Sequence, residues 1–123
     1  MNRRVENWIP AAIQAAETHL AKNGVIKKEY NGYISSFGAA VLHSGLKAAI
    51  AFNESASSGS KEERGPLMKA ILNIITNAPK KDEKLLDYVL EHDTADTREK
   101  ILDAATALKL AIRTFKLSKE EEA

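Results

Sequence analysis

The spacing of apolar residues constrains this chain more than any other feature of its sequence. Apolar side chains recur at steps of three and four residues through most of the 123 positions, which is the period of a helix with one buried face. β-branched residues are sparse and no alternating run is bounded by hairpin turns, so no strand pattern competes with the helical one. The pattern predicts an all-α protein of about six helices, over residues 3–22, 29–44, 45–54, a fourth from Pro66 to the segment NAPKKDEK, 82–91 and 94–117. The face of the second helix that is expected in the core consists of Tyr30, Ile34, Phe37 and Val41, and that of the third consists of Leu46, Ala49 and Ile50, with Phe52 as a further candidate.

These helices are expected to form one compact single-domain bundle over residues 1–123. The length suffices for one domain with a core and is too short for two. A polar, serine-rich stretch over 54–65 has no periodicity, which predicts a flexible loop. This loop is not a domain boundary, because neither side of it alone could bury enough surface. The charged end of the chain, 118–123, is expected to fray.

Local signals refine the helix ends. Pro10 lacks a backbone donor, so we expect a disturbance of the first helix at that point. The pair Asn23-Gly24 should stop this helix, since glycine accepts the left-handed conformation that often follows a helix. Asp96 and Glu99 have the spacing of a capping box, which gives Asp96 as an alternative start of the last helix.

Two glycines seven residues apart interrupt an otherwise helix-forming segment. If 30–54 were one helix, Ser35, Gly38 and Gly45 would form a strip of small residues that lets another helix approach closely. The reading that we favour ends a helix at Gly45, with a positive φ, and begins the next at Leu46. Gly38 is then interpreted as a close-packing site, with a merely tolerated glycine as the alternative.

Composition excludes several classes of protein. Eighteen Lys and Arg residues face 17 Asp and Glu residues, for a net charge of +1, which is not that of a polybasic nucleic-acid arm. The absence of cysteine excludes disulfides and thiolate metal sites. No apolar run reaches the ~18 residues of a membrane span, and the N-terminus lacks the hydrophobic core of a signal peptide. We therefore expect a soluble, cytoplasmic protein without contact to a membrane.

The sequence offers no catalytic pattern. His19, His43 and His92 show none of the spacing that pairs two metal ligands on one helix face. No nucleophile elbow and no phosphate-binding loop occur. The expectation is a protein that is not an enzyme, with no metal site and no cofactor.

Basic residues of the last helix are more informative when they are projected at 100° per residue. Four of them share a stripe about 60° wide, and these are Arg98, Lys109, Arg113 and Lys116. Lys47 and the pair Lys27-Lys28 are cations that could join this stripe in space. Such a stripe suits spaced RNA phosphates. It could equally be a solvated face whose aliphatic stems cover apolar surface.

The same helix carries apolar residues away from the centre of its buried face, namely Leu102, Leu110 and Leu117. They are candidates for a contact with another subunit, since exposed apolar clusters mark partner sites. The alternative is a helix that touches two neighbours inside the fold.

Two segments resemble a known family. The stretch YISSFGAAVLHSGLKAAIAF, residues 33–52, is similar to the central motif of the small helical subunit of the type III-B CRISPR effector, the Cmr complex. The matching residues are Tyr33, Phe37, Ser44-Gly45-Leu46 and Ala51-Phe52. The stretch TADTREKILDAATALKLAIRTF, residues 94–115, is similar to the last helix of that family through Arg98, Ala105-Thr106, Arg113 and Phe115.

The resemblance implies an all-α subunit without a catalytic role. Its partners would be the other subunits of the Cmr effector complex, further copies of itself that stack inside the guide-RNA ribonucleoprotein, and the target RNA, whose cleavage belongs to other subunits. A net charge of +1 predicts weak, salt-sensitive RNA binding by one copy, which several copies would strengthen. The main rival function is a helical scaffold or adaptor that binds only protein, and a less favoured rival is a small hydrolase or metal protein.

Overall fold

A computed structural model of the chain describes residues 3–55, 63–78 and 83–118. Helices make up most of this part and pack around one hydrophobic core, so the predicted all-α bundle of six helices is confirmed. A short parallel sheet of two strands was not predicted. The elements in chain order are α1 (Arg3–His19), β1 (Val25–Lys27), α2 (Glu29–Ser44), α3 (Leu46–Glu54), α4 (Gly65–Thr76), α5 (Leu85–Glu91), α6 (Ala95–Ile112) and β2 (Lys116–Ser118).

Helix α1 runs without interruption through Pro10, which lies on its exposed side. It ends at His19, three residues earlier than the sequence suggested. Asn23 and Gly24 have φ values of 53° and 77°, and they form a tight turn rather than the cap of the helix. The turn is closed because the Lys22 N–H donates to the Val25 carbonyl at 2.9 Å, as in the two-residue turns that favour Asn-Gly.

The expectation that no strand forms was wrong at two places. Strand β1 pairs in parallel with β2, in a register that sets Ile26 opposite Leu117. Each strand has three residues, too few to show an alternating pattern in the sequence. The pairing also shortens the last helix, which ends at Ile112 instead of Leu117.

The break between α2 and α3 lies where it was predicted. Gly45 has φ 98° and ψ 158°, a combination that is essentially limited to glycine. The face of α2 that the periodicity assigned to the core is buried, and it consists of Tyr30, Ile34, Phe37 and Val41. The interpretation of Gly38 as a close-packing site was wrong, because a Cβ added there would meet no atom within 4 Å.

Helix α3 buries Ala49 and Ile50 as expected, but Phe52 is 47% exposed. Asn53 takes the inward position instead, and its side-chain amide donates to the Ala49 carbonyl at 2.7 Å. The expected loop over 54–65 begins and ends in helices, since Glu54 closes α3 and Gly65 opens α4. Its residues 56–62 lie outside the described part, as do 79–82 and most of the expected frayed tail, 119–123.

Two polar side chains define the starts of α5 and α6. The Leu85 N–H donates to Glu54 Oε2 at 2.9 Å, so α3 caps α5 across the loop. Burial raises the pKa of the Glu54 carboxyl above its usual 4.5, although the backbone N–H groups of α5 oppose the shift. Helix α6 is capped by Thr94, whose hydroxyl accepts from the Thr97 N–H at 3.1 Å. The predicted start at Thr94 is thus the N-cap of α6, and the alternative cap at Asp96 was wrong by two residues.

Helix α6 is the central element and packs against α1, α2 and α4. Its inner face is closely packed because Ile101, Leu108 and Ile112 are fully buried. Both α1 and α6 also bury several alanines, namely Ala12, Ala15, Ala16, Ala104, Ala105, Ala107 and Ala111. Small side chains let two helix backbones approach closely, and this arrangement leaves the charged sides of α6 to face outward.

Candidate nucleic-acid interface

Helix α6 separates two of its acidic residues from Lys109. Asp96 and Asp103 lie toward α1, where the Arg4 guanidinium is 4.0 Å and 3.3 Å from them. The Lys100 ammonium lies 3.2 Å from Asp96 on the same side. These pairs balance the acidic side of α6 with cations, so the carboxylates there do not offset the basic residues on the other side.

On the other side, α2 and α6 enclose a groove of about 260 Å³. It is lined by Ile34, Ser35, Gly38, Leu42, Leu102, Ala105, Thr106 and Lys109. Gly38 keeps the groove open, because no side chain fills the space above it. Lys109 is the one charged residue of this lining. Helix α2 carries no carboxylate after Glu29, and no ion pair of Lys109 forms within the described residues.

Arg113 lies four residues beyond Lys109 and is exposed. It follows the last residue of α6 but keeps a helical backbone, with φ −68° and ψ −13°. The predicted common side of Lys109 and Arg113 is therefore retained, about 6 Å apart along the helix axis. No ion pair of Arg113 forms within the part of the chain that the structure describes.

The structure brings Lys47 and Arg98 to one cleft, of about 570 Å³, at the other end of α6. The starts of α3 and α6 form its walls, with Gly45, Thr94 and Asp93 among the lining residues. Both cations have acidic neighbours here. Lys47 Nζ lies 2.6 Å from Asp93 Oδ2, and the Arg98 guanidinium lies 3.8 Å from Glu99. The positive potential of this cleft is thus lower than that near Lys109.

Lys116 does not belong to the helical stripe. Because α6 ends at Ile112, Lys116 stands in β2, opposite Val25. Side chains alternate along a strand, and Ile26 and Leu117 face the core, so Lys116 and Lys27 share the outer side of the sheet. The predicted stripe of four cations was wrong at this member, which shares the outer side of the sheet with Lys27 instead.

The three leucines proposed for a subunit contact do not share one face. Leu102 lines the groove and is partly packed against the core, and Leu117 packs against the core from β2. Leu110 is 40% exposed. The sequence pattern missed the two most exposed leucines of the described residues, Leu42 on α2 at 67% and Leu90 on α5 at 57%.

Two of the three histidines contact neighbouring side chains of the fold. His19 Nε2 lies 3.1 Å from Asn73 Oδ1 and links α1 to α4. His92 stacks on Tyr88 with ring centroids 4.2 Å apart, and His43 is exposed. Within the described residues, no group of three acidic or histidine side chains has an arrangement that could hold a metal ion. No helix among them is both long and apolar enough for a membrane span.

A comparison with known protein families identifies this arrangement. The family described as CRISPR-associated protein (Cas_Cmr5) matches residues 4–113, a span that includes the groove, the cleft and five of the six helices in full. The chain belongs to the Cas_Cmr5 family. This confirms the resemblance read from residues 33–52 and 94–115, and it implies a subunit of a CRISPR Cmr complex, of the non-catalytic small-subunit type.

The match to Cas_Cmr5 ends at Arg113, before β2. Lys116 and Leu117 therefore lie outside the span that the family model covers, whereas Lys47, Arg98, Lys109 and Arg113 lie inside it. No curated protein and no solved structure matches the chain.

Proposed function

We propose that this Cas_Cmr5 subunit stacks in several copies inside the Cmr ribonucleoprotein and helps hold the target RNA along the guide, without taking part in its cleavage. The observation that carries the proposal is the side of α6 that presents Lys109 and Arg113. Lys109 lines an open groove, Arg113 is exposed one helical turn beyond it, and no ion pair of either forms within the described residues. Cations that are not neutralised by the protein are available to phosphates.

The two basic residues suit a phosphodiester backbone. Their separation along the axis is about 6 Å, and the arginine can fork onto one phosphate while the lysine acts as a point charge. Contacts of this kind position a strand without reading its sequence. That property fits a subunit whose target is selected by pairing with a guide.

Two further basic groups extend the candidate surface. Lys27 and Lys116 share the outer side of the sheet, just beyond Arg113 in the chain. Lys47 and Arg98 line the cleft at the start of α6, where Asp93 and Glu99 reduce their net charge. We rank the cleft last among the three for this reason.

Exposed leucines support the proposed stacking of several subunit copies. Leu42, Leu90 and Leu110 lie on three different helices, each at least 40% exposed, and apolar residues left in water favour contacts with further subunits. The rival function, a helical scaffold that binds only protein, rests on the same leucines and on the ion pairing of Lys47. Cytoplasmic location follows from this assignment to an RNA-guided complex and is part of the proposal.

The test compares Cmr complexes assembled from purified components with and without this subunit. Target-RNA affinity should fall when the subunit is omitted, while loading of the guide RNA should be unchanged because other subunits hold it. The scaffold function predicts the reverse, with incomplete assembly and an unchanged affinity of those complexes that do form. Recovery of the protein from its host without any effector subunit would contradict both functions in the Cmr complex.

A further inference from the structure

A row of aromatic and cationic side chains leads from the core to the surface on the side of α2 that faces α3 and α4. The rings of Tyr30 and Tyr33 meet edge to face with centroids 6.1 Å apart. The Arg64 guanidinium lies 4.1 Å from the centroid of Tyr33 and 5.2 Å from that of Phe52. Four side chains from α2, α3 and the start of α4 are thus in sequential contact.

Exposure increases along this row. Tyr30 is 8% exposed, Tyr33 and Arg64 are half-buried, and Phe52 is 47% exposed. A phenylalanine at the end of an amphipathic helix would ordinarily turn inward, and here the buried position is taken by Asn53. Tyr30 and Tyr33 hold Arg64 in place. The Phe52 ring and the Arg64 guanidinium therefore lose little conformational entropy when a ligand binds to them.

Planar groups of this kind have a characteristic ligand. Bases of single-stranded RNA stack on phenylalanine and tyrosine rings and on arginine guanidinium planes. We infer that Phe52, whose ring is held by the guanidinium of Arg64, is a stacking site for one unstacked base of the bound RNA. The inference rests on the proposed function for its ligand class, and it adds a contact to a base where the basic residues of α6 contact only phosphates.

A cation against the outer ring is compatible with RNA at this place. Arg64 brings a cation to the ring, and an arginine beside an aromatic face can hold a phosphate and a base of the same nucleotide. The site lies on the opposite side of α2 from Lys109, since Ser35 and Leu42 of α2 line the groove whereas Tyr33 faces Arg64. A strand that crosses α2 would therefore meet both sites.

The test uses Phe52→Leu, which keeps an apolar side chain of high helix propensity but removes the ring. Target-RNA affinity of the assembled complex should fall by about fivefold or more, with an unchanged slope of log affinity against log salt. Phe52→Tyr keeps the ring and should bind as the parent does. Tyr88→Leu removes an aromatic ring on α5 instead, one that stacks on His92, and should also leave the affinity unchanged.

A target strand that carries 2-aminopurine reports the stacking itself. Its fluorescence should be quenched on binding by the parent and by Phe52→Tyr, and the quenching should be reduced with Phe52→Leu. Unchanged affinity and quenching in a Phe52→Leu complex of full subunit content would overturn the inference. Loss of the subunit from the Phe52→Leu complex would also overturn it, because the ring would then contact a protein.

Failure of the proposed function looks different from failure of this inference. If omission of the whole subunit leaves the target-RNA affinity unchanged, the subunit does not hold RNA and the ligand class assigned to Phe52 falls with it. If omission of the subunit lowers the affinity but Phe52→Leu does not, the subunit holds the RNA through contacts to the RNA phosphates and not through a base at Phe52.

Discussion

The conformation of Gly45 permits a direct test of the break between α2 and α3. At φ 98° and ψ 158° a residue with a Cβ is strained by about 1–3 kcal/mol. A Cβ at this position meets no atom within 4 Å, so the whole cost arises from the backbone. Alanine restricts the unfolded chain and returns about 0.4–1 kcal/mol. Gly45→Ala should therefore destabilise the fold by about 1–2 kcal/mol, and Gly45→Val by more.

Gly38→Ala is the matched control, with the same change of side chain inside α2. A Cβ there also meets no atom within 4 Å, and alanine is favoured over glycine in a helix by about 0.8–1 kcal/mol. The two variants should differ by about 2–3 kcal/mol, which corresponds to melting temperatures about 8–12 °C apart for a domain of this size. Thermal unfolding followed by circular dichroism measures this difference. If Gly45→Ala melted at or above the parent, the argument from backbone strain would be refuted.

Two further predictions concern the caps of α5 and α6. Burial raises the pKa of Glu54 above 4.5, so between pH 4.5 and the folded pKa the folded protein keeps a proton that the unfolded chain has released. The contribution of this proton to the free energy of unfolding is fully present below pH 4.5 and is lost as the pH rises through the folded pKa. Glu54→Gln keeps the acceptor for the Leu85 N–H and should not show this dependence, so its advantage over the parent in melting temperature should grow from pH 4 to about pH 7; a constant difference would refute the shift. Thr94→Ala removes the cap of α6 and should lower the free energy of unfolding by about 1 kcal/mol, whereas Thr94→Ser should change it little. Chemical denaturation measures both, and equal stability of Thr94→Ala and the parent would show that the cap contributes nothing.

Local signals in the sequence were sufficient for most of the fold. The period of apolar residues located all six helices, and it placed the side chains of Tyr30, Ile34, Phe37 and Val41 in the core. The break at Gly45 was the favoured of two interpretations, because glycine accepts the positive φ that often ends a helix, and the structure has φ 98° there. These features depend on residues a few positions apart, which is the range over which helical propensity and capping act.

Features that depend on distant residues were missed. Strand β1 finds its partner in β2, with Ile26 opposite Leu117, and a three-residue strand carries no pattern that reveals this pairing. The end of α6 at Ile112 is a consequence of the same contact. Gly38 could not be interpreted correctly either, because an open groove and a close helix contact require the same small residue.

The candidate site shows the same division. Periodicity alone placed Lys109 and Arg113 on one side of α6, and the structure agrees. Tertiary packing brings Lys47 close to Arg98 and pairs Lys47 with Asp93, 46 positions away. The sequence pattern could not predict these contacts. Phe52 was a further candidate for the buried face of α3, but Asn53 occupies the buried position instead, and its side-chain N–H donates to the Ala49 carbonyl.

The central claim, that one side of α6 holds RNA phosphates, is tested most directly by salt dependence. The variant to use replaces Arg98, Lys109 and Arg113 by Glu, in complexes of verified subunit content, and target-RNA affinity is measured at several salt concentrations. Lys100→Glu on the opposite side of the same helix serves as the control, since Lys100 lies beside Asp96 and away from the groove.

We predict that the triple variant binds target RNA more weakly and that its slope of log affinity against log salt is less steep, by about one unit for each phosphate that the variant no longer binds, while Lys100→Glu keeps the slope of the parent. An assembled triple variant with the affinity and the slope of the parent would contradict the account and leave this side of α6 as a solvated surface.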